Sequence, residues 1–130
     1  MSFEEVFLKG EKKMKLLMHI TKENKKLGID NTSIPNRKIK LKLSEECLEV
    51  IDALDKYTND KTLSNLKNII RETFDLIQVC ILILFRCHRQ AQDFDEDNLI
   101  EEINIEHKNK LTERGWSYES GIRIETGDDL

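Results

Sequence analysis

The chain has 130 residues, of which 38% are hydrophobic and 35% are charged, with one proline and five glycines. This length suffices for one domain with its own core, and the composition argues against a β-sandwich and a disordered chain. We therefore expect a single all-α domain over residues 1–130. The net charge of -4 is unevenly distributed, because residues 1–42 carry eleven Lys/Arg and only five Asp/Glu.

No apolar stretch resembling a signal peptide opens the sequence. The longest apolar segment, residues 76–85, has ten residues and contains Gln78, whereas a membrane crossing needs about 20. The three cysteines lie inside apolar helical runs without a CxxC pair, which is typical of buried free thiols in a reducing compartment. These features predict a cytoplasmic protein with no membrane partner.

The apolar periodicity predicts four helices in chain order. A first amphipathic helix is expected over residues 3–27, and a second over residues 37–57 follows a loop rich in Gly, Asn and Pro. The third, over residues 63–90, is long and unusually apolar. An acidic turn precedes the fourth helix, over residues 96–113. Residues 116–130 are expected to form an irregular tail.

Carboxylates border the apolar faces of the two central helices. In the second predicted helix, Glu46 and Glu49 lie at the edge of a stripe of apolar residues, and Glu45 lies further round. In the third, Glu72 and Asp75 are three residues apart, just before the apolar run. That run is apolar on two sides, so one side suits the bundle and the other a second subunit or a remaining helix.

Buried bare carboxylates cost several kcal/mol each, so something positive should meet these four groups. Lys67 and Arg71, on the same helix as two of the acids, cannot reach all of them. Four carboxylates from two adjacent helices form an oxygen cage that suits Mg²⁺ or Mn²⁺. Any isolated pair of acids at this spacing is typical of a solvated surface, and it is the two pairs together that favour a metal site.

The same residues carry a family resemblance. The segments EECLE (45–49) and ETFD (72–75) resemble the EExxE…ExxD signature of the MazG-like all-α nucleoside triphosphate pyrophosphohydrolases. KNKLTERGW (108–116) is similar to the basic fourth-helix segment of that family. The resemblance covers about residues 37–116. It implies a four-helix-bundle-like domain that forms a homodimer or homotetramer through the third helix and uses Mg²⁺ to cleave (d)NTP to (d)NMP and pyrophosphate.

The resemblance also implies roles for individual residues. The implied metal ligands, which are also catalytic, are Glu46, Glu49, Glu72 and Asp75. Glu45 would be a further catalytic group that supports the ligands or orients the water. The candidate phosphate contacts are Lys108, Lys110 and Arg114, with Arg37 and Lys38 as second choices and Asn104 as a base or ribose contact. For the fourth-helix cations, pairing with the negative helix end is an equally good interpretation.

Other functions fit the sequence less well. A di-iron carboxylate bundle needs two ExxH pairs, and none of the three histidines has Glu three residues before it. The chain has neither GxxxxGK[ST] nor GxGxxG. The main alternative is a non-catalytic helical oligomerisation or interaction module, in which the acids are only solvated. Nucleic-acid binding through the basic N-terminal third ranks third, and no nucleic-acid partner is expected.

Overall fold

A computed structural model describes residues 12–127 of the chain. Within this range the protein contains three helices and one short hairpin, in this order: β1 (Glu23–Asn24), β2 (Ile29–Asp30), α1 (Asn36–Asn59), α2 (Leu63–Gln92) and α3 (Leu99–Glu113). The predicted all-α class is confirmed, and α1, α2 and α3 correspond to the second, third and fourth predicted helices. Nowhere in residues 12–127 is a helix both long and apolar enough to cross a membrane.

The first predicted helix is wrong for residues 12–27, and its residues 3–11 lie outside the described part of the chain. Residues 12–22 are irregular and lead into the hairpin. Most helical stability in a folded protein comes from packing an amphipathic face, and this segment packs little of its apolar surface. Met14 is 77% exposed and Leu17 is 67% exposed. The periodicity is present, but no partner buries it.

A two-stranded antiparallel hairpin replaces the end of that predicted helix. Its register pairs Glu23 with Asp30. Gly28 closes the turn at φ 66°, a left-handed conformation that glycine adopts without steric cost. Beyond the strands, Asn31 Nδ2 donates to Thr21 Oγ1 at 2.8 Å. Local polar contacts therefore determine the structure of this region.

Two side chains of α2 hold this N-terminal region. Gln78 Nε2 donates to the backbone oxygen of His19. About two turns further along the helix, Arg86 donates to the backbone oxygen of Asn31 at 3.0 Å and to the Asn36 side-chain oxygen at 3.4 Å. The irregular segment is thus fixed to α2 through its own carbonyl groups.

Helices α1 and α2 form a helical hairpin with a short connection. Only Asp60–Thr62 separate them. Thr62 Oγ1 accepts from the backbone N–H of Asn65 at 3.1 Å, and Asn65 Nδ2 donates to the backbone oxygen of Asp60 at 2.8 Å. A connection this short makes the two helices antiparallel neighbours.

The buried residues of α1 recur every seven positions. They are Ile39, Glu46 and Ala53, and a spacing of seven places them on one face of the helix. On α2, the buried Val79 lies seven residues after Glu72, so these two share a face as well. A carboxylate therefore lies within the buried face of α1.

The chain divides into two compact units, Met1–Arg86 and Cys87–Leu130. The second unit contains the end of α2, α3 and the tail, in which residues 116–127 form no helix or strand. Gly115, at φ 89°, ends α3, and the Tyr118 hydroxyl donates back to the backbone oxygen of Lys108 at 3.2 Å. The single-domain organisation stays a prediction.

All three cysteines are free, as predicted, but the prediction that they are buried is wrong for two of them. Cys80 and Cys87 are exposed, and Cys47 is half-buried. The reason is that, among residues 12–127, one apolar side of α2 is left exposed.

Candidate metal centre

The helical hairpin brings the four predicted metal ligands to the same level. Glu49 lies ten residues before the end of α1, and Glu72 lies nine residues after the start of α2. Glu46 and Asp75 are one turn further from the connection on their respective helices. Because the helices are antiparallel, equal distances from the turn place residues opposite each other. One carboxylate oxygen from each of the four lies within 4.8 Å of the others.

The four carboxylates differ in solvent exposure. Glu46 is only 3% exposed, Glu49 and Glu72 are half-buried, and Asp75 is exposed. One buried oxygen of Glu46 and one of Glu72, Oε2 in each case, has no hydrogen-bond partner. An unsatisfied buried polar atom costs about 1–3 kcal/mol, and more when the group is charged. These two oxygens are therefore acceptors that lack a donor or a cation.

The crowding and burial of these groups raise the pKa values of two of them. Hydrogen bonding with Glu72 and then with Glu46, with lesser effects of burial and of their negative charges, raises the pKa of Glu49 to about 7. Burial, followed by the charges of Glu46 and Glu72, raises the pKa of Asp75, and Lys42 opposes that rise. Both shifts have the sign expected for carboxylates crowded without a full counter-charge.

A lysine that the sequence analysis missed supplies part of the counter-charge. Lys42 Nζ lies 2.9 Å from Glu46 Oε1 and 3.6 Å from Glu45 Oε2. Hydrogen bonding to Glu46 is the largest effect raising the pKa of Lys42. The signal was present in the sequence, since residues four apart on a helix are neighbours and Lys42 precedes Glu46 by four.

The other predicted residues of the first unit lie outside the cluster. Glu45 is exposed and pairs with Lys42. Arg37 and Lys38 are exposed in the first turn of α1. They precede Glu46 by nine and eight residues, which corresponds to about 12–14 Å along the helix axis.

The remaining predicted residues belong to the second unit. Asn104, Lys108 and Lys110 are exposed on α3, and exposed Arg114 caps its C-terminal end. Lys110 lines a shallow depression on α3 that also contains Glu106 and Glu113. Lys110 also lies in the last turn of α3, which is consistent with the interpretation that it pairs with the negative helix end.

The donor set fits a divalent cation. All four groups offer carboxylate oxygen, the ligand type that Mg²⁺, Mn²⁺ and Ca²⁺ prefer. Opposite ligands of an octahedral Mg²⁺ are about 4.2 Å apart, because each lies at about 2.1 Å from the ion. The observed spread of at most 4.8 Å is close to this value. Small side-chain movements would bring the four oxygens to coordination distance, with waters in the remaining positions.

Comparison with known proteins yields no matching family model, curated protein or solved structure. The family resemblance therefore rests on the two acidic motifs and the basic segment of this sequence.

Proposed function

We propose that this protein is a Mg²⁺-dependent nucleotide pyrophosphohydrolase of the MazG-like type, which converts (d)NTP to (d)NMP and pyrophosphate in the cytoplasm. Mn²⁺ is the expected substitute metal. The observation that supports this function is the convergence of Glu46, Glu49, Glu72 and Asp75, with an unpartnered buried oxygen on Glu46. A solvated surface cluster would not bury a carboxylate oxygen that has no hydrogen-bond partner.

The expected roles of the four side chains in metal binding differ with their burial. Glu46 and Glu72, the more enclosed pair, would hold the cation most firmly because their free oxygens cannot turn to water. Exposed Asp75 forms the open side of the cluster. With its raised pKa, Glu49 exchanges a proton near neutral pH, so the cation must compete with that proton. Bound Mg²⁺ supplies charge neutralisation of the phosphates and lowers the pKa of a bound water.

The decisive experiment measures pyrophosphate release from a panel of NTPs and dNTPs with and without Mg²⁺. Wild type is compared with Glu49→Gln and Glu72→Gln, which keep side-chain length and remove one ligand charge each. We expect metal-dependent turnover in wild type and its loss in both variants. Asp55→Asn is the matched control, because Asp55 is an exposed acid of α1 that lies outside the cluster. It should keep wild-type turnover.

A second candidate function is favoured by the uncovered apolar side of α2. Within the described chain, exposed apolar side chains recur along this helix, namely Leu63, Leu66, Ile70, Phe74 and Leu84. Such a stripe is typical of a helix that packs against a partner. In the enzyme it would join subunits of a dimer or tetramer, completing a bundle-like assembly. In the alternative, binding a partner through this stripe would be the only function, and the protein would be a non-catalytic oligomerisation or interaction module.

The two functions make opposite predictions for metal. An interaction module gives no turnover on any nucleotide and no change in melting temperature when Mg²⁺ or Mn²⁺ is added. The enzyme gives turnover on at least one nucleotide and a rise in melting temperature when the metal is added. If the wild-type protein releases no pyrophosphate and its melting temperature does not change when metal is added, the pyrophosphohydrolase function is excluded.

A further inference from the structure

Lys42 lies where the acidic cluster meets solvent. Its Nζ is 2.9 Å from Oε1 of the buried Glu46, whereas the side chain itself is 57% exposed. Glu45, which is also exposed, is its second partner at 3.6 Å. The ammonium group therefore contacts the acidic cluster and is also accessible from solvent.

The two oxygens of Glu46 have different surroundings. Oε1 accepts from Lys42, and Oε2 is buried without a partner. The same carboxylate is thus able to bind a cation through one oxygen while the ammonium group remains at the other. A dication near Glu46 would cancel most of the attraction that holds Lys42, because Coulomb energy adds over the charges present. The lysine, on a flexible four-carbon stem, would then be released toward an anion.

We propose that Lys42 is a substrate-binding residue that contacts the phosphate groups of the nucleotide once the cluster holds its cation. This inference rests on the proposed function and assigns the first phosphate contact to α1. In the metal-free protein the lysine pairs with Glu46 and limits the net charge of the cluster. In the loaded protein it supplies a positive charge to the polyphosphate, which otherwise faces several carboxylates.

The competing cations of the first unit are less well placed. Arg37 and Lys38 are about 12–14 Å from Glu46 along α1. This distance is too great for their side chains to contact a phosphate that is bound at the cluster. Among the described residues, the ion pairs made by Glu45 and Glu46 all involve Lys42. Position and charge together therefore single out this residue.

The test combines metal binding with inhibition by a phosphate probe. Mn²⁺ affinity is measured by electron paramagnetic resonance for wild type, Lys42→Met, Lys42→Gln and Lys42→Arg. The inhibition constant of inorganic tripolyphosphate and the KM for the best nucleotide are then measured in excess metal. Lys40→Met is the matched control, since Lys40 is exposed two residues away and points to the opposite side of α1.

We expect Lys42→Met and Lys42→Gln to bind Mn²⁺ as tightly as wild type or more tightly, because a repelling charge is gone. Both should raise KM and the tripolyphosphate constant by about tenfold or more, as expected for loss of a charge-assisted hydrogen bond. Lys42→Arg should recover most of that loss, and Lys40→Met should match wild type.

Unchanged KM and tripolyphosphate inhibition in both neutral variants would overturn this inference while leaving the pyrophosphohydrolase intact. Weakened Mn²⁺ binding in those variants would also overturn it, because Lys42 would then act by positioning Glu46. Absence of Mn²⁺ binding and turnover in wild type would instead overturn the proposed function, and the inference with it.

Discussion

Glu49 of α1 meets Glu72 of α2 across the helical hairpin, and hydrogen bonding between their side chains is the largest effect that raises the pKa of Glu49 to about 7. Two carboxylates share a hydrogen bond only when one of them carries a proton. The metal-free cluster therefore retains a proton at a pH where an isolated glutamate has lost it. A cation that binds here competes with that proton.

The first prediction concerns the pH dependence of stability without metal. The ordinary pKa of Glu49 is 4.5, and the folded value is about 7, so the folded state binds more protons between these values. The stabilisation is fully present below about pH 4.5 and is lost as pH rises through about 7. We expect the free energy of unfolding in chelator to fall from pH 5 to pH 8, as measured by urea denaturation.

Glu49→Gln should reduce this fall, because glutamine does not titrate. Part of the slope should remain in that variant, since the pKa of Asp75 is raised too and acts with the same sign. The control Asp55→Asn should keep the wild-type slope. A wild-type stability that rises steadily over this range would show that the cluster does not retain the proton.

The helices of the site could be predicted from sequence because their signals are local. Pro35 precedes α1, and the apolar periodicity continues to its end, so the prediction of residues 37–57 agrees with the observed helix to within two residues at each end. The same periodicity placed Glu46 and Glu49 at the edge of the apolar stripe of α1, because the edge of a helix face is a local property.

Two features were not predictable from periodicity. The level at which Glu49 meets Glu72 depends on a connection of three residues between the helices, and no apolar pattern specifies that length. Residues 12–27 have the spacing of an amphipathic helix, but a helix forms only where something buries its apolar face. There the contacts of Asn31 with Thr21 and with Arg86 determine the structure instead.

The second prediction separates stability from metal binding at Asp75. Asp75→Asn removes one of the negative charges that crowd the cluster and ends its repulsion with Glu72, three residues earlier on α2. Relief of one such like-charge pair is worth roughly 0.2–0.5 kcal/mol. We expect a small rise in the melting temperature without metal. Mn²⁺ affinity should fall about tenfold or more, as for damage to a metal site.

The measurement is thermal unfolding in chelator and in millimolar Mn²⁺, with Asp55→Asn as the control. Metal should stabilise wild type and the control more than Asp75→Asn. Equal metal stabilisation of all three proteins would remove Asp75 from the set of ligands.

The third prediction concerns a buried alanine of α1 near the site. Ala53 is 2% exposed and lies seven residues after Glu46, on the same buried face of α1. A larger side chain has no space there, so Ala53→Leu should lower the free energy of unfolding by about 1–3 kcal/mol. Because the displaced helix carries Glu46 and Glu49, Mn²⁺ affinity should fall as well.

Asp52→Leu introduces the same side chain at the neighbouring exposed position. It should change the free energy of unfolding by no more than about 0.5 kcal/mol and leave Mn²⁺ affinity unchanged. Urea denaturation and Mn²⁺ titration of the two variants give the comparison. Similar losses in both would mean that leucine acts through local helix properties rather than through burial.

The last prediction concerns the apolar stripe on α2. Ile70 is exposed and lies two residues before Glu72, so the two side chains point to opposite sides of the helix. If the stripe joins subunits, Ile70→Glu places a charge in an apolar interface, where an unpaired charge costs several kcal/mol. We expect light scattering after size exclusion to show an oligomer for wild type and a smaller species for this variant.

Leu41→Glu is the matched control, because Leu41 is an equally apolar exposed residue on α1, outside the stripe. It should leave the molar mass unchanged. Mn²⁺ affinity measured on the dissociated Ile70→Glu protein then connects the two proposals, since all four clustered carboxylates belong to one chain. If affinity is retained, the cluster is complete within a subunit. An identical molar mass for wild type and Ile70→Glu would exclude this stripe as the interface.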